Sequence, residues 1–98
     1  MLEKDIVAAI LRYLKTLPRC FAWKEHGGMY GTAGIPDIIA CIDGRFVALE
    51  VKTVKGTLTP LQEVTLGRIQ AANGCAHKVS SVAEVRQILR EEGFTHEA

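Results

Sequence analysis

The sequence predicts an α/β fold: a mixed four-stranded sheet flanked by helices, with elements in the order α-β-β-β-α-β-α. Three observations carry this expectation. Apolar residues at three- and four-residue spacing mark the first helix and recur in two later segments. An Asp-Gly pair at 43–44, set between two apolar runs, is a strong hairpin signal. A capped helical segment then separates the third strand from the fourth, a crossover that can lay the fourth parallel to one of the earlier strands.

Residues 2–17, "LEKDIVAAILRYLKTL", place Leu2, Ile6, Ala9, Ile10, Tyr13, Leu14 and Leu17 on one helical stripe, and Pro18 ends the run. "CFAWK" at 20–24 has the aromatic content and alternation of a short strand, with Trp23 expected in the core. "EHGGMYGTAG" follows, a ten-residue loop with four glycines that can move or approach a ligand closely, although it lacks the spacing of a phosphate-binding P-loop. Strands are expected at 37–42 and 45–52 around the Asp-Gly turn. In "TPLQEVTLGRIQAANG", Thr59 is the N-cap, Pro60 the first helical residue and Gln62 the capping-box partner. Leu61, Val64, Leu66, Ile69 and Ala72 are the expected buried face, and Asn73-Gly74 is the stop. "CAHKVS" at 75–80 reads as the fourth strand. Ser81 with Glu84 opens the last helix, which turns Val82, Val85, Ile88 and Leu89 inward.

The chain has 98 residues, 48% apolar and 23% charged, which suits one domain spanning 1–98. A domain this small buries a modest share of its surface, so a homodimer is a reasonable expectation. No apolar run approaches the roughly 18–20 residues of a membrane span, and the amino terminus lacks a basic n-region, so a cytoplasmic, non-membrane protein is expected. Cys20, Cys41 and Cys75 have no CxxC spacing and read as reduced thiols, the last two in the core. His26, His77 and His96 show no ligand spacing among themselves, so a zinc site is not expected. A net charge of +1 excludes binding to nucleic acid by bulk charge alone, so contact with phosphate must rest on local charge or on a metal.

The hairpin also works as a ruler. With Asp43 and Gly44 at its turn, Ile42 pairs with Arg45, and counting outward sets Asp37 opposite Glu50 in a non-hydrogen-bonded pair. Lys52 shares their face. Two carboxylates opposed at the ends of apolar strands repel each other and need compensation. A divalent cation such as Mg²⁺ supplies it, with the backbone carbonyl of Val51 as a further oxygen ligand. Such a cation polarises a phosphoryl group and acidifies water, and Lys52 would hold the nucleophile or stabilise charge on the phosphate. The same residues would also suit a structural ion-pair network.

"GIPDII" followed by "ALEVKTVKGTLTPLQ" resembles the PD-(D/E)xK nuclease superfamily and, within it, the VRR-NUC family of small phage- and bacterium-encoded nuclease domains. Pro36-Asp37, Glu50-x-Lys52, Gly56, Leu58, Thr59 and Gln62 carry the likeness, and Glu3 matches an early acidic residue of the first helix. The resemblance covers essentially the whole chain and implies a restriction-endonuclease-like core. It implies Mg²⁺ or Mn²⁺ held by Asp37, Glu50 and the carbonyl of Val51, with Lys52 catalytic. Glu3 would approach the metal site, and Gln62 would orient Lys52 or the nucleophile. Glu3 would equally complement its helix dipole, and Gln62 has its local capping duty. Stand-alone relatives resemble Holliday-junction resolvases, which implies a dimer acting on branched or structured DNA inside a bacterium or phage-infected host. Lys24, Lys55 and Gly31 are the candidate DNA contacts. The glycine loop is poorer in arginine than in relatives. An alternative is a nucleic-acid-binding module that holds the metal without turnover.

Overall fold

In the computed structural model, residues 1–26 and 33–94 are described. Their elements are α1 (Glu3–Leu14), β1 (Cys20–Lys24), β2 (Ile38–Ile42), β3 (Arg45–Val51), α2 (Pro60–Ala71), β4 (Cys75–Val79) and α3 (Val82–Glu91). They form a mixed four-stranded sheet in the order β1-β2-β3-β4, flanked by helices in a restriction-endonuclease-like topology. The first three strands run antiparallel and β4 is parallel to β3. Asp43 and Gly44 both have positive φ, 51° and 80°, as a type I′ turn demands. Ile42 pairs with Arg45 and Ile38 with Leu49, the register the turn dictates.

Strand alternation divides the apolar residues between two layers. One face of the sheet, with Ile38, Ala40, Ile42, Val47, Leu49, Val51, Cys75 and Val79, packs on α1 and α3 through Ile6, Val7, Ile10, Leu14, Val85 and Leu89. The other face carries Ile39, Ala48 and Ala76, which pack on Leu66 of α2 with help from Leu58 and Ile69. This second layer is thin. It leaves Phe21 and Phe46 exposed, and Trp23, expected in the core, is 41% exposed, its ring beside Phe21 and its Nε1 donating to Glu25.

Several boundaries and faces differ from expectation for identifiable reasons. Helix α1 stops at Leu14, not Leu17, because its last carbonyls turn to i→i−3 bonds. The N–H of Thr16 donates to Tyr13 and that of Leu17 to Leu14, while Thr16 Oγ1 also takes the Tyr13 carbonyl at 2.7 Å. Residue 17, preceding proline, is also disfavoured in a helix. Three of the strands are each one residue shorter at an end, leaving Asp37, Lys52 and Ser80 just outside them. Cys41 is exposed, since its parity points it to the thin layer, where α2 reaches Ile39 of β2 but leaves Cys41 uncovered.

The largest difference is on α2. Gln62, Leu66 and Ile69 form the line facing the sheet, while Leu61, Val64 and Ala72 are exposed. Leu61 and Val64 border an open apolar cleft of about 820 Å³ shared with Ile39 and Phe46. Hydrophobicity alone would have put Leu61 inward, but that orientation would turn Gln62 away from the residue it serves.

Candidate active site

Asp37 and Glu50 converge at the open end of the β2–β3 hairpin. Extending the observed register one step past Ile38–Leu49 sets them opposite each other. The N–H of Val51 donates to Asp37 Oδ2 at 2.8 Å, and the N–H of Glu25 donates to the Asp37 carbonyl at 2.8 Å, so the residue is fixed although it lies beyond the strand. Glu50 is 3% exposed, the one charged residue among the buried set of the described residues. It faces the Asp37 carboxyl, and the two can share a hydrogen bond when Glu50 is protonated. Burial first, then that hydrogen bond and the Asp37 charge, push the Glu50 carboxyl up to about 8; Lys52 pulls it down and Glu3 adds to the rise.

Lys52 Nζ lies 3.9 Å from Glu50 Oε2, an ion pair too long to be a hydrogen bond. Its own N–H donates to the Val79 carbonyl, which continues the β3–β4 ladder and sets the direction of its side chain. Gln62 reconciles its two expected duties. Its Oε1 accepts from the Thr59 N–H at 2.9 Å to close the capping box, and its Nε2 donates to Glu50 Oε2 at 3.3 Å. Glu3, exposed in the first turn of α1, reaches the cluster through its charge. Asp37, Glu50, Lys52 and Gln62 are therefore brought together around a buried carboxyl. Lys24 and Lys55 are exposed, at the end of β1 and in the turn after β3, and Gly31 lies outside the described residues.

The donor chemistry fits a hard divalent cation. Two carboxyls that cannot both ionise without compensation, one of them buried, are an oxygen-only set of the kind Mg²⁺ and Mn²⁺ prefer.

No protein-family profile and no curated protein sequence matches the chain. Solved structures do. A chain described as "VRR_NUC domain" superposes with a TM-score of 0.76 at 20% identity, covering 94% of this chain and 97% of its own. A second, "VRR_NUC domain protein", gives 0.73 at 17% identity, covering 95% and 88%. This chain has the VRR_NUC fold. The expected restriction-endonuclease-like core is the architecture found, with both structures matched over nearly their whole length.

On this VRR_NUC fold a second group capable of coordinating a metal also appears. Cys75, His77 and Glu92 place donor atoms within 4.8 Å of one another. Burial, with the Glu92 charge adding, pushes the Cys75 thiol up to about 11. Histidine-to-histidine spacing could not find this group, because His77 is its single histidine. The available signal was Cys75-x-His77, two residues apart on a strand and hence on one face; Glu92 arrives only through the fold.

Proposed function

We propose that this chain is a metal-dependent DNA nuclease that hydrolyses phosphodiester bonds, with branched or structured DNA as its substrate. One observation carries the reading: a fully buried glutamic acid is held against a second carboxyl, with an ammonium group 3.9 Å away. A purely structural cluster has little reason to set a buried acid against a second one. Replacing such a group by packed apolar side chains is often neutral or stabilising.

In this reading Asp37, Glu50 and the carbonyl of Val51 hold Mg²⁺ or Mn²⁺. The bound cation supplies Lewis acidity at the phosphoryl group and brings the ionisation of water into the neutral range. Lys52, whose ammonium stands at the mouth of the carboxyl pair, donates to the nucleophile or to a phosphate oxygen as negative charge builds. Gln62 holds Glu50 in position through Nε2, and Glu3 adds negative charge that strengthens cation binding. Lys24, Lys55 and Gly31 contact the DNA backbone. The likeness to VRR_NUC domain structures supports the reading, as does the PD…ExK pattern of the sequence.

The protein acts as a homodimer in this proposal, and the uncovered face of the sheet supports it. Phe21, Phe46, Leu61 and Val64 expose apolar surface on the same side as the carboxyl pair. A second copy seated there would bring two carboxyl pairs into one assembly, suited to cutting two strands. Sedimentation equilibrium tests the dimer: Phe21→Ser with Val64→Ser should yield monomers, and a monomeric wild type would refute it.

Cleavage assays with four-way junctions, flaps and linear duplexes test the activity. Cleavage is expected in Mg²⁺ or Mn²⁺, absent in EDTA, and lost in Asp37→Ala and Lys52→Ala. Tight binding of these DNAs without any cutting in either metal would favour a non-catalytic binding module instead.

A further inference from the structure

We propose that Cys75, His77 and Glu92 form a second metal site that takes a zinc-type transition metal, on the opposite face of the sheet from the carboxyl pair. Cys75 and His77 lie two apart on β4, and parity sends both toward the α1–α3 layer. Glu92 caps the C-terminal end of α3 and meets them there. The donor atoms of the three lie within 4.8 Å of one another, and His77 Nε2 is already 3.1 Å from Glu92 Oε2. A tetrahedral ion with bonds of about 2.0–2.3 Å keeps its ligand atoms roughly 3.3–3.6 Å apart. Closing the cluster around an ion therefore needs side-chain adjustment and no refolding.

The donor set decides the class of metal. Sulfur, imidazole nitrogen and carboxylate oxygen together match zinc and cobalt(II) and are a poor match for Mg²⁺, which wants oxygen and retains water. A thiolate and a carboxylate also neutralise a divalent ion, the thiol proton leaving to solvent on binding.

Two further features point the same way. Arg45 grips Glu92 twice, Nη1 donating to its carbonyl at 2.6 Å and Nη2 to Oε1 at 3.3 Å. That leaves Oε2 turned to His77, the oriented carboxylate that metal ligands usually show. A polar cavity of about 600 Å³, lined by Arg45, Gln70, Asn73, Gly74, His77 and Glu92, adjoins the cluster. It provides an entry path and room for a water as fourth ligand. A bound ion would staple β4 to the end of the last helix.

Cobalt(II) titration of the full chain, watched by absorption, tests this. One equivalent should produce visible tetrahedral d–d bands together with a near-ultraviolet thiolate charge-transfer band. Cys75→Ala should abolish the charge-transfer band. The partly exposed His77→Gln, which leaves the core intact, should weaken Co²⁺ affinity at least about ten-fold, and Arg45→Gln by about ten-fold through loss of carboxylate orientation. Asp37→Asn should change none of these. Absence of the bands overturns the proposal. So does a charge-transfer band that survives Cys75→Ala, which would assign the thiolate to Cys20 or Cys41. Loss of the bands in Asp37→Asn would place the ion at the carboxyl pair instead.

Discussion

Replacing Glu50 by glutamine separates a metal site from a structural ion pair, because the two readings disagree about the charge on Glu50 in the metal-free protein. The folded carboxyl lies at about 8 against an ordinary value of 4.5, raised chiefly by burial and then by Asp37. For a group with a raised folded value, the folded state holds its proton longer than the unfolded state. Its stabilising contribution is complete below about 4.5 and is lost as pH rises to about 8. At about 1.4 kcal/mol per unit the loss has a ceiling of about 5 kcal/mol, and relaxation and water entry around the charged group make about 2–4 kcal/mol the working figure. Glutamine has no proton to lose, can donate to Asp37 through Nε2 and can accept from Gln62 through Oε1. In EDTA, urea denaturation should therefore show Glu50→Gln more stable than wild type by about 2–4 kcal/mol at pH 8, with the gap nearly closed at pH 5. Mg²⁺ or Mn²⁺ should restore much of the deficit to wild type and none to the variant, since a ligand at about 100 times its Kd contributes about 2.7 kcal/mol. A gap that stays constant from pH 5 to 8 would mean that Glu50 is ionised throughout and neutralised by Lys52. The carboxyl pair would then need no cation to offset its charge.

Lys52→Ala should lower cleavage by about 10²-fold or more with DNA affinity little changed, read by single-turnover kinetics and a binding titration. Thr59→Ala removes the capping hydroxyl that accepts from Gln62 and should cost about 1 kcal/mol in urea denaturation. Gly34→Ala should cost about 1–3 kcal/mol, because Gly34 has φ +81° and a new Cβ would stand 2.8 Å from Leu61 Cγ. A thermal shift within error for that variant would show that the chain ahead of β2 moves aside freely.

Much of the fold could be read from the sequence because its local signals agree with its global arrangement. The Asp-Gly turn fixes the register of β2 on β3, and the register fixes which side chains meet Glu50. The capping box of Thr59 and the N-cap hydroxyl of Ser81 start two helices where the structure starts them. What could not be read depends on contacts between distant segments. Trp23 and Cys41 have core-like character, but α2, which reaches Ile39, packs mainly over β3 and β4 and leaves both exposed. Leu61 and Val64 were expected inward by hydrophobicity, yet α2 rotates so that Gln62 can reach Glu50. The Cys75–His77–Glu92 group was invisible for the same reason, since its third member comes from the far end of α3.

Both metal-capable groups depend on one ladder. Glu50 and Lys52 project from β3 toward α2, whereas Cys75 and His77 project from β4 toward α1 and α3. The parallel pairing of Glu50 with Lys78 and Leu49 with His77 keeps the two sets on opposite faces. A one-residue slip of β4 against β3 would carry Cys75 and His77 to the α2 face and bring Lys78 into the core. An oxygen-only pair and a sulfur-containing triad would then lie side by side, competing for the same ions. Separation by strand parity keeps an oxygen-only donor set on one side of a thin sheet and a sulfur-containing set on the other. It also predicts that metal bound at either group should leave the affinity of the other nearly unchanged, because the two groups face opposite sides of the sheet.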